Sequence, residues 1–207
     1  MDKFIEIIKE SKKAKTTTPV NELSQYRWSP RSFQKKPITK EQMMSILEAA
    51  RWSASAFNEQ PWRFIVGFNG DETFEKIFNT LGEWNQNWAK NASALILNIY
   101  KKSFTHNDKP NGTAIYDLGQ AVASYSLEVV NQGLHSHQMG GYDGEKADEI
   151  FKLGNDFASI CVTAVGHLEK PDALPEDLFK IELQNRIRKG VNQIAFIDVI
   201  DKTPFSL

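Results

Sequence analysis

The sequence predicts one globular domain of mixed helix and strand built around a buried sheet, and three observations carry that expectation. The chain has 207 residues, a length that a single core can serve. Hydrophobic residues make up 41% and charged residues 25%, the balance of a soluble folded protein rather than a disordered or fibrous one. Three short runs are apolar and rich in β-branched residues: "RFIVGF" at 63–68, "SALILNIY" at 93–100 and "SICVTAVGHL" at 159–168. Their near-continuous apolarity predicts strands covered on both faces.

The other elements follow in chain order. Residues 2–13 alternate charges with Phe4, Ile5, Ile7 and Ile8 as an amphipathic helix does, and "KTTTPV" breaks it. Thr39 followed by Glu41 and Gln42 is a helix start, and Met43, Met44, Leu47, Ala50 and Arg51 continue at helical spacing to an end near Ser53. Helices are predicted over 71–81, 83–90 and 113–132, the last stopping at Gly133. Its small residues Ala114, Gly119, Ala121, Ala123 and Ser124 permit close approach of another helix, in the core or at a subunit interface. "LHSHQMGGYDGEKADEI" gives an extended stretch, a glycine loop and a further helix. The tail "VNQIAFIDVIDKTPF" holds a strand-like run placed to pair with a sheet edge, its own or a neighbour's. The division expected is an N-terminal helical extension over 1–19 and one domain over 20–207.

Charge and cysteine content exclude several classes. A formal net charge of -1 and a pI near 6.4 provide no field for gathering a polyanion, so no nucleic-acid partner is expected and any phosphate contact is local. The single cysteine, Cys161, rules out an intrachain disulfide. No run approaches a membrane span and the N-terminus lacks the apolar stretch of a signal peptide, so a cytoplasmic location with no membrane partner is expected.

The generic phosphate loop, dinucleotide fingerprint and nucleophile elbow are missing. His135 and His137 alternate on an extended stretch and so share a face, but no third ligand accompanies them and no metal is expected. In "YRWSPRSF", Arg27 and Arg31 bracket Trp28, Ser29 and Pro30; they are either solvated loop arginines or a clamp for a phosphate or carboxylate. "NRIRKG" sets Arg186 and Arg188 two apart, which in an extended chain points them the same way. In "QMGGYDG", Gly140 and Gly141 allow a planar ligand to lie against the peptide, or simply make a tight turn.

Taken together, four segments resemble the nitroreductase superfamily of flavin enzymes. "RWSPRSF" is similar to its arginine–serine–arginine opening and "WSASAFNEQPWRFIV" to its Asn-x-Gln-Pro-Trp signature. "GLHSHQMGGYD" resembles its glycine loop and "NRIRKGVNQIAF" its C-terminal phosphate-binding segment. The likeness runs from about Val20 onward. It implies an α+β fold, a mixed and mostly antiparallel sheet flanked by helices, assembled as an intertwined homodimer with two FMN sites at the subunit interface. By that resemblance Arg27, Trp28, Ser29 and Arg31 line the ribityl-phosphate end of FMN, and Arg186 and Arg188 close on the phosphate. Ala54, Ser55 and Asn58 come from the other subunit, while Gln60, Pro61 and Trp62 brace the turn. Gln138, Met139, Gly140 and Gly141 form the wall behind the ring, with the Gly140 N–H facing flavin N5, and Asn85 touches the flavin.

This sequence departs from the family pattern in three places. Ala54 replaces the usual proline, Asp117 stands where some relatives have a glutamine near the ribityl chain, and Trp88 takes the place of a lysine near the flavin N1–C2 edge. The activity implied is an FMN-dependent NAD(P)H oxidoreductase. NADH or NADPH is the donor, and a nitroaromatic, quinone or other small planar molecule is the acceptor in a ping-pong cycle that identifies no catalytic side chain. The alternatives are a flavin-binding protein with negligible turnover and another flavin reaction, such as reductive dehalogenation or flavin fragmentation. Trp84, Trp88 and Phe104 are candidates for shaping acceptor choice.

Overall fold

A computed structural model describes residues 3–205; Asp2, at which the first predicted helix begins, and the last two residues lie outside that range. The described chain runs α1 (Lys3–Lys12), α2 (Glu22–Tyr26), α3 (Lys40–Arg51), β1 (Trp62–Phe68), α4 (Glu72–Phe78), α5 (Glu83–Ala89), β2 (Ala94–Lys101), α6 (Ala114–Asn131), β3 (His135–Met139), α7 (Gly144–Ile150), β4 (Phe157–Gly166) and α8 (Glu176–Leu183). The strands form one sheet in the order β1-β2-β4-β3. Each neighbouring pair is antiparallel.

Capping fixes the helix starts. Thr39 Oγ1 accepts the Gln42 N–H at 3.1 Å while Gln42 Oε1 accepts the Thr39 N–H at 3.0 Å, a reciprocal cap that sets where α3 begins. Asp71 and Asp143 accept the N–H groups of Phe74 and Lys146 and start α4 and α7 in the same way. At the other end of α6, Gly133 has φ +72°, a conformation open to glycine, and turns the chain directly into β3.

The sheet is buried on both faces, which is why β1, β2 and β4 read as apolar runs. On one face, Ile46 and Ala50 of α3 and Leu118, Tyr125 and Val129 of α6 pack on Ile96 and Val165. On the other, Phe74, Ile77, Trp88 and Ala147 pack on Leu95, Leu97 and Val162. Each fully buried large side chain contributes about 1.5–3 kcal/mol of transfer free energy. A Cβ at Gly67 would overlap the Phe74 backbone, so this glycine is what lets α4 lie directly on β1.

Of the two placements expected for the C-terminal tail, the edge of the chain's own sheet is not used among the described residues. Beyond α8 the tail contains a 3-10 turn over Val191–Gln193 and an isolated bridge between Phe196 and Pro204. Ile194, Ile197 and Ile200 stand in solvent because no core of this chain lies within their reach. Two short helices were not anticipated. α2 is capped by Asn21, whose Oδ1 accepts the Leu23 N–H at 2.8 Å, and α8 opens on Pro175 with Glu176 and Asp177 in its first turn. α1 docks through Ile5 and Ile8 onto Trp28 and Leu168.

Candidate functional site

The segment after α2 is laid across the sheet by bonds to elements distant in sequence. The Pro30 carbonyl lies 3.0 Å from His137 Nδ1 on β3, and the Arg31 N–H donates to Glu182 Oε2 at 3.1 Å on α8. Ser32 Oγ donates to the Lys170 carbonyl at 2.6 Å, and Phe33 bridges Leu168. With the backbone so fixed, Arg27 reaches Ser29, Nη1 to Oγ 3.4 Å, and both are half-buried.

Four arginines gather around this loop, with the buried Glu182 carboxylate close to Arg31. Burial and the facing Arg188 hold the Arg27 guanidinium below its ordinary pKa, and burial with Arg27 and Arg188 does the same to Arg186. Among the described residues no carboxylate forms an ion pair with Arg27, Arg31, Arg186 or Arg188. Arg31 Nε is moreover buried with no hydrogen-bond partner. Two half-buried guanidiniums held down by desolvation and by neighbouring arginines, with a buried donor unused beside them, make a cradle complementary to an anion.

The glycine loop leaves the end of β3 beside the start of α5. The Gly141 carbonyl accepts the Gly82 N–H at 3.0 Å and Asn85 Nδ2 at 2.9 Å. Gly140 is exposed, and a Cβ built there would meet nothing within 4 Å, so its backbone faces open space. Asn85, Gly140 and Gly141 are thus brought together as expected.

The third group is the turn after α3. Phe57, Asn58 and Gln60 all have positive φ, at 53°, 55° and 52°, a cluster of costly backbone conformations at non-glycine residues. Ser55 Oγ accepts the Gln60 N–H at 3.0 Å, and Asp117 Oδ2 accepts the Ala56 N–H at 3.1 Å. Gln60 Nε2 donates to the Asn58 carbonyl at 3.1 Å within the turn, and Trp62 is buried in the core under α3 and α6. Among the described residues no hydrogen bond joins Ala54, Ser55 or Asn58 to the arginine loop or the glycines of the same chain.

Several expected site residues spend their side chains elsewhere. The Trp28 indole is buried in the α1 cluster, 4.4 Å edge-on to His135, because the apolar face of α1 needs a partner of that size. Met139 is in the core, and Gln138 Nε2 donates to Ser126 Oγ on α6 at 2.8 Å. Asp117, 2% exposed, serves the 55–60 turn of its own chain. Trp88 is fully buried between Phe33 and His137. His135 and His137 are packed against tryptophans, and burial lowers their pKa values to about 3 and about 4.

Glu182 escaped the sequence reading. It is buried, and desolvation raises its pKa against the opposing pull of the Arg31 N–H, Lys12 and Arg31. The signal was present: Glu182 lies four residues from the buried Leu178, a charged residue on the core face of a helix.

Comparison with known proteins defines first the class. A solved structure of an oxidoreductase containing FMN superposes with a TM-score of 0.83 at 34% identity, covering 89% of this chain and 94% of that one. An uncharacterized 15.4 kDa protein of Mycolicibacterium smegmatis is 32% identical over 142 residues, 65% of this chain and 94% of the relative. The major NAD(P)H-flavin oxidoreductase of Aliivibrio fischeri is 37% identical over 76 residues, which span 35% of this chain and only 34% of that protein. The sequence model of the nitroreductase family matches residues 25–86, the stretch that holds both the arginine loop and the strained turn. The chain belongs to the nitroreductase family.

Proposed function

We propose that the protein is an FMN-dependent NAD(P)H oxidoreductase that passes reducing equivalents to small planar acceptors such as nitroaromatics and quinones. The observation that carries this reading is the group of guanidiniums of Arg27, Arg186 and Arg188, which form no ion pair among the described residues, together with the open glycine loop at the end of β3, the strand to which Pro30 is tied through His137. A phosphate dianion suits the first and a flat ring suits the second. The FMN-containing structure and the flavin oxidoreductase among its relatives support the choice of ligand.

Arg27, Arg31 and Arg188, with Ser29, hold the phosphate, and Arg186 adds its charge. Bound FMN supplies the hydride-accepting and hydride-donating chemistry, so the chain's own task is to hold, orient and polarise. The Gly140 and Gly141 peptides provide the surface against which the ring lies, and Asn85 holds that loop in place. Ala54, Ser55 and Asn58, which do not bond to the arginine loop of their own chain, complete the site of a second copy. Met44, Trp52, Phe57, Tyr116 and the tail residues Ile194 and Ile197 are exposed apolar side chains that such a copy would cover.

Titration of the flavin-free protein with FMN and with riboflavin tests the assignment. Replacing Arg27 and Arg188 together by alanine removes at least two charge-assisted bonds, each about 1.5–3 kcal/mol, and so weakens FMN binding by roughly a hundredfold or more. Riboflavin, which lacks the phosphate, is bound nearly as before. A wild-type protein that binds no flavin, or a double variant with unchanged FMN affinity, overturns the proposal. Anaerobic bleaching of the bound flavin by NADH or NADPH, followed by reoxidation with a panel of acceptors, tests the activity.

A further inference from the structure

Arg186 does not simply point at the anion cradle. Its Nη1 donates to two main-chain carbonyls, Lys12 O at 2.9 Å and Gln25 O at 2.7 Å. Lys12 is the last residue of α1, and Gln25 lies in the last turn of α2. Both oxygens therefore belong to helix C-termini, where unpaired carbonyls carry partial negative charge and attract a cation. The same socket is laced from other directions. Ala14 N–H donates to Gln25 O at 2.9 Å, and Lys12 Nζ donates to Gln184 O at 2.5 Å. Ile5 and Ile8 hold the helix down on Trp28, next in sequence to Arg27.

The consequence is geometric. The end of α2 leads straight into Arg27, and the segment holding Arg186 leads straight into Arg188. Fastening Arg186 to the ends of α1 and α2 thus fixes the separation of two arginines that repel each other. Left alone, Arg27 and Arg188 would relax apart, and a dianion would have to draw them together again at the expense of its own binding energy. The half-buried Arg186 side chain, with one nitrogen committed to carbonyls, has lost the freedom to swing away.

We infer that α1 is a positioning element of the anion cradle: with α2 it forms a two-carbonyl socket for Arg186, and that socket sets the spacing of Arg27 and Arg188 before a ligand arrives. This rests on the flavin reading above, and it gives the N-terminal extension a role in ligand binding, with Arg186 acting as a positioning residue through its neighbours.

The test compares FMN with riboflavin, because only the phosphate senses the spacing. Three variants are made in the full chain: Ile5→Ala with Ile8→Ala, which loosens the seat of α1 without altering charge; Lys12→Met, which cuts the tie to Gln184; and Arg186→Ala. Flavin affinity is measured by fluorescence quenching, and retention of fold by circular dichroism. The isoleucine pair and Lys12→Met each lower the ratio of FMN to riboflavin affinity by about tenfold, the scale of one charge-assisted bond lost. Adding Arg186→Ala to the isoleucine pair costs less than it does in the wild type, since its anchor is already gone.

A helix that merely stabilised the fold would lower the melting temperature and leave the ratio unchanged. That result in folded variants, or full additivity with Arg186→Ala, overturns the inference. A wild-type protein that fails to prefer FMN over riboflavin overturns instead the reading of the site.

Discussion

Replacement of Asp117 by alanine tests how the strained turn after α3 is held. Asp117 lies in the first turn of α6, three residues beyond Ala114, where a carboxylate is favoured by the helix dipole. Its Oδ2 accepts the Ala56 N–H at 3.1 Å, the first amide of the 3-10 turn over Ala56–Asn58, and Thr113 Oγ1 at 3.3 Å. One buried carboxylate thus ties the first amide of the 3-10 turn to the residue that precedes α6. Each positive-φ residue in that turn costs on the order of 1 kcal/mol, so the segment at Phe57, Asn58 and Gln60 keeps its shape only because outside bonds impose it. Alanine at 117 removes a bond to a charged group, about 1.5–3 kcal/mol, and leaves the Ala56 amide without a partner. The expected outcome is a global loss of about 2–3 kcal/mol in urea unfolding and faster amide exchange at Ala56 and Asn58. Asparagine, which keeps one acceptor oxygen, recovers about half of that loss. An alanine variant with the wild-type midpoint and unchanged exchange over 55–60 would show that the turn supports itself.

Two further outcomes follow from the same geometry. Gly140→Ala leaves the melting temperature within about a degree of wild type, because its Cβ meets nothing within 4 Å, yet it lowers flavin affinity; a variant that binds flavin normally would remove Gly140 from the contact surface. His135 and His137 keep pKa values of about 3 and about 4 in the folded chain, below the unfolded value near 6.5. The unfolded state therefore takes up their protons first, and the stability present above pH 6.5 is lost as pH falls toward 4. Each histidine contributes a slope approaching about 1.4 kcal/mol per pH unit in that window, so a glutamine at either position should flatten urea-unfolding data collected between pH 7 and 5.

What the sequence disclosed depended on whether a residue's surroundings were local. Thr39 and Gln42 cap α3 through bonds three residues apart, and such spacings can be read directly. The apolar runs of β1, β2 and β4 were equally plain, since burial on both faces leaves no polar position to disguise them. The family motifs located Arg27, Arg31, Asn85, Gly140 and Gly141 on neighbouring elements because motif spacing carries backbone placement with it. They could not say where each side chain goes. Trp28 and Trp88 lie in the core, and the Asp117 oxygen bonds an amide 61 residues earlier in the chain, contacts that no local spacing encodes.

The tail shows the same division from the other side. Its run of isoleucines is strand-like, yet among the described residues it pairs with neither open edge of the chain's sheet, β1 or β3. Ile187, which stands between Arg186 and Arg188, is 82% exposed, and Ile194, Ile197 and Ile200 further along are exposed as well, more apolar side chains than a solvent-facing arm carries. A second copy that covers the tail would hold the arginines from beyond Arg188, as α1 holds them from before Arg27. Cofactor grip and subunit assembly would then be coupled through one short segment, and dilution to the monomer should release FMN more readily than riboflavin.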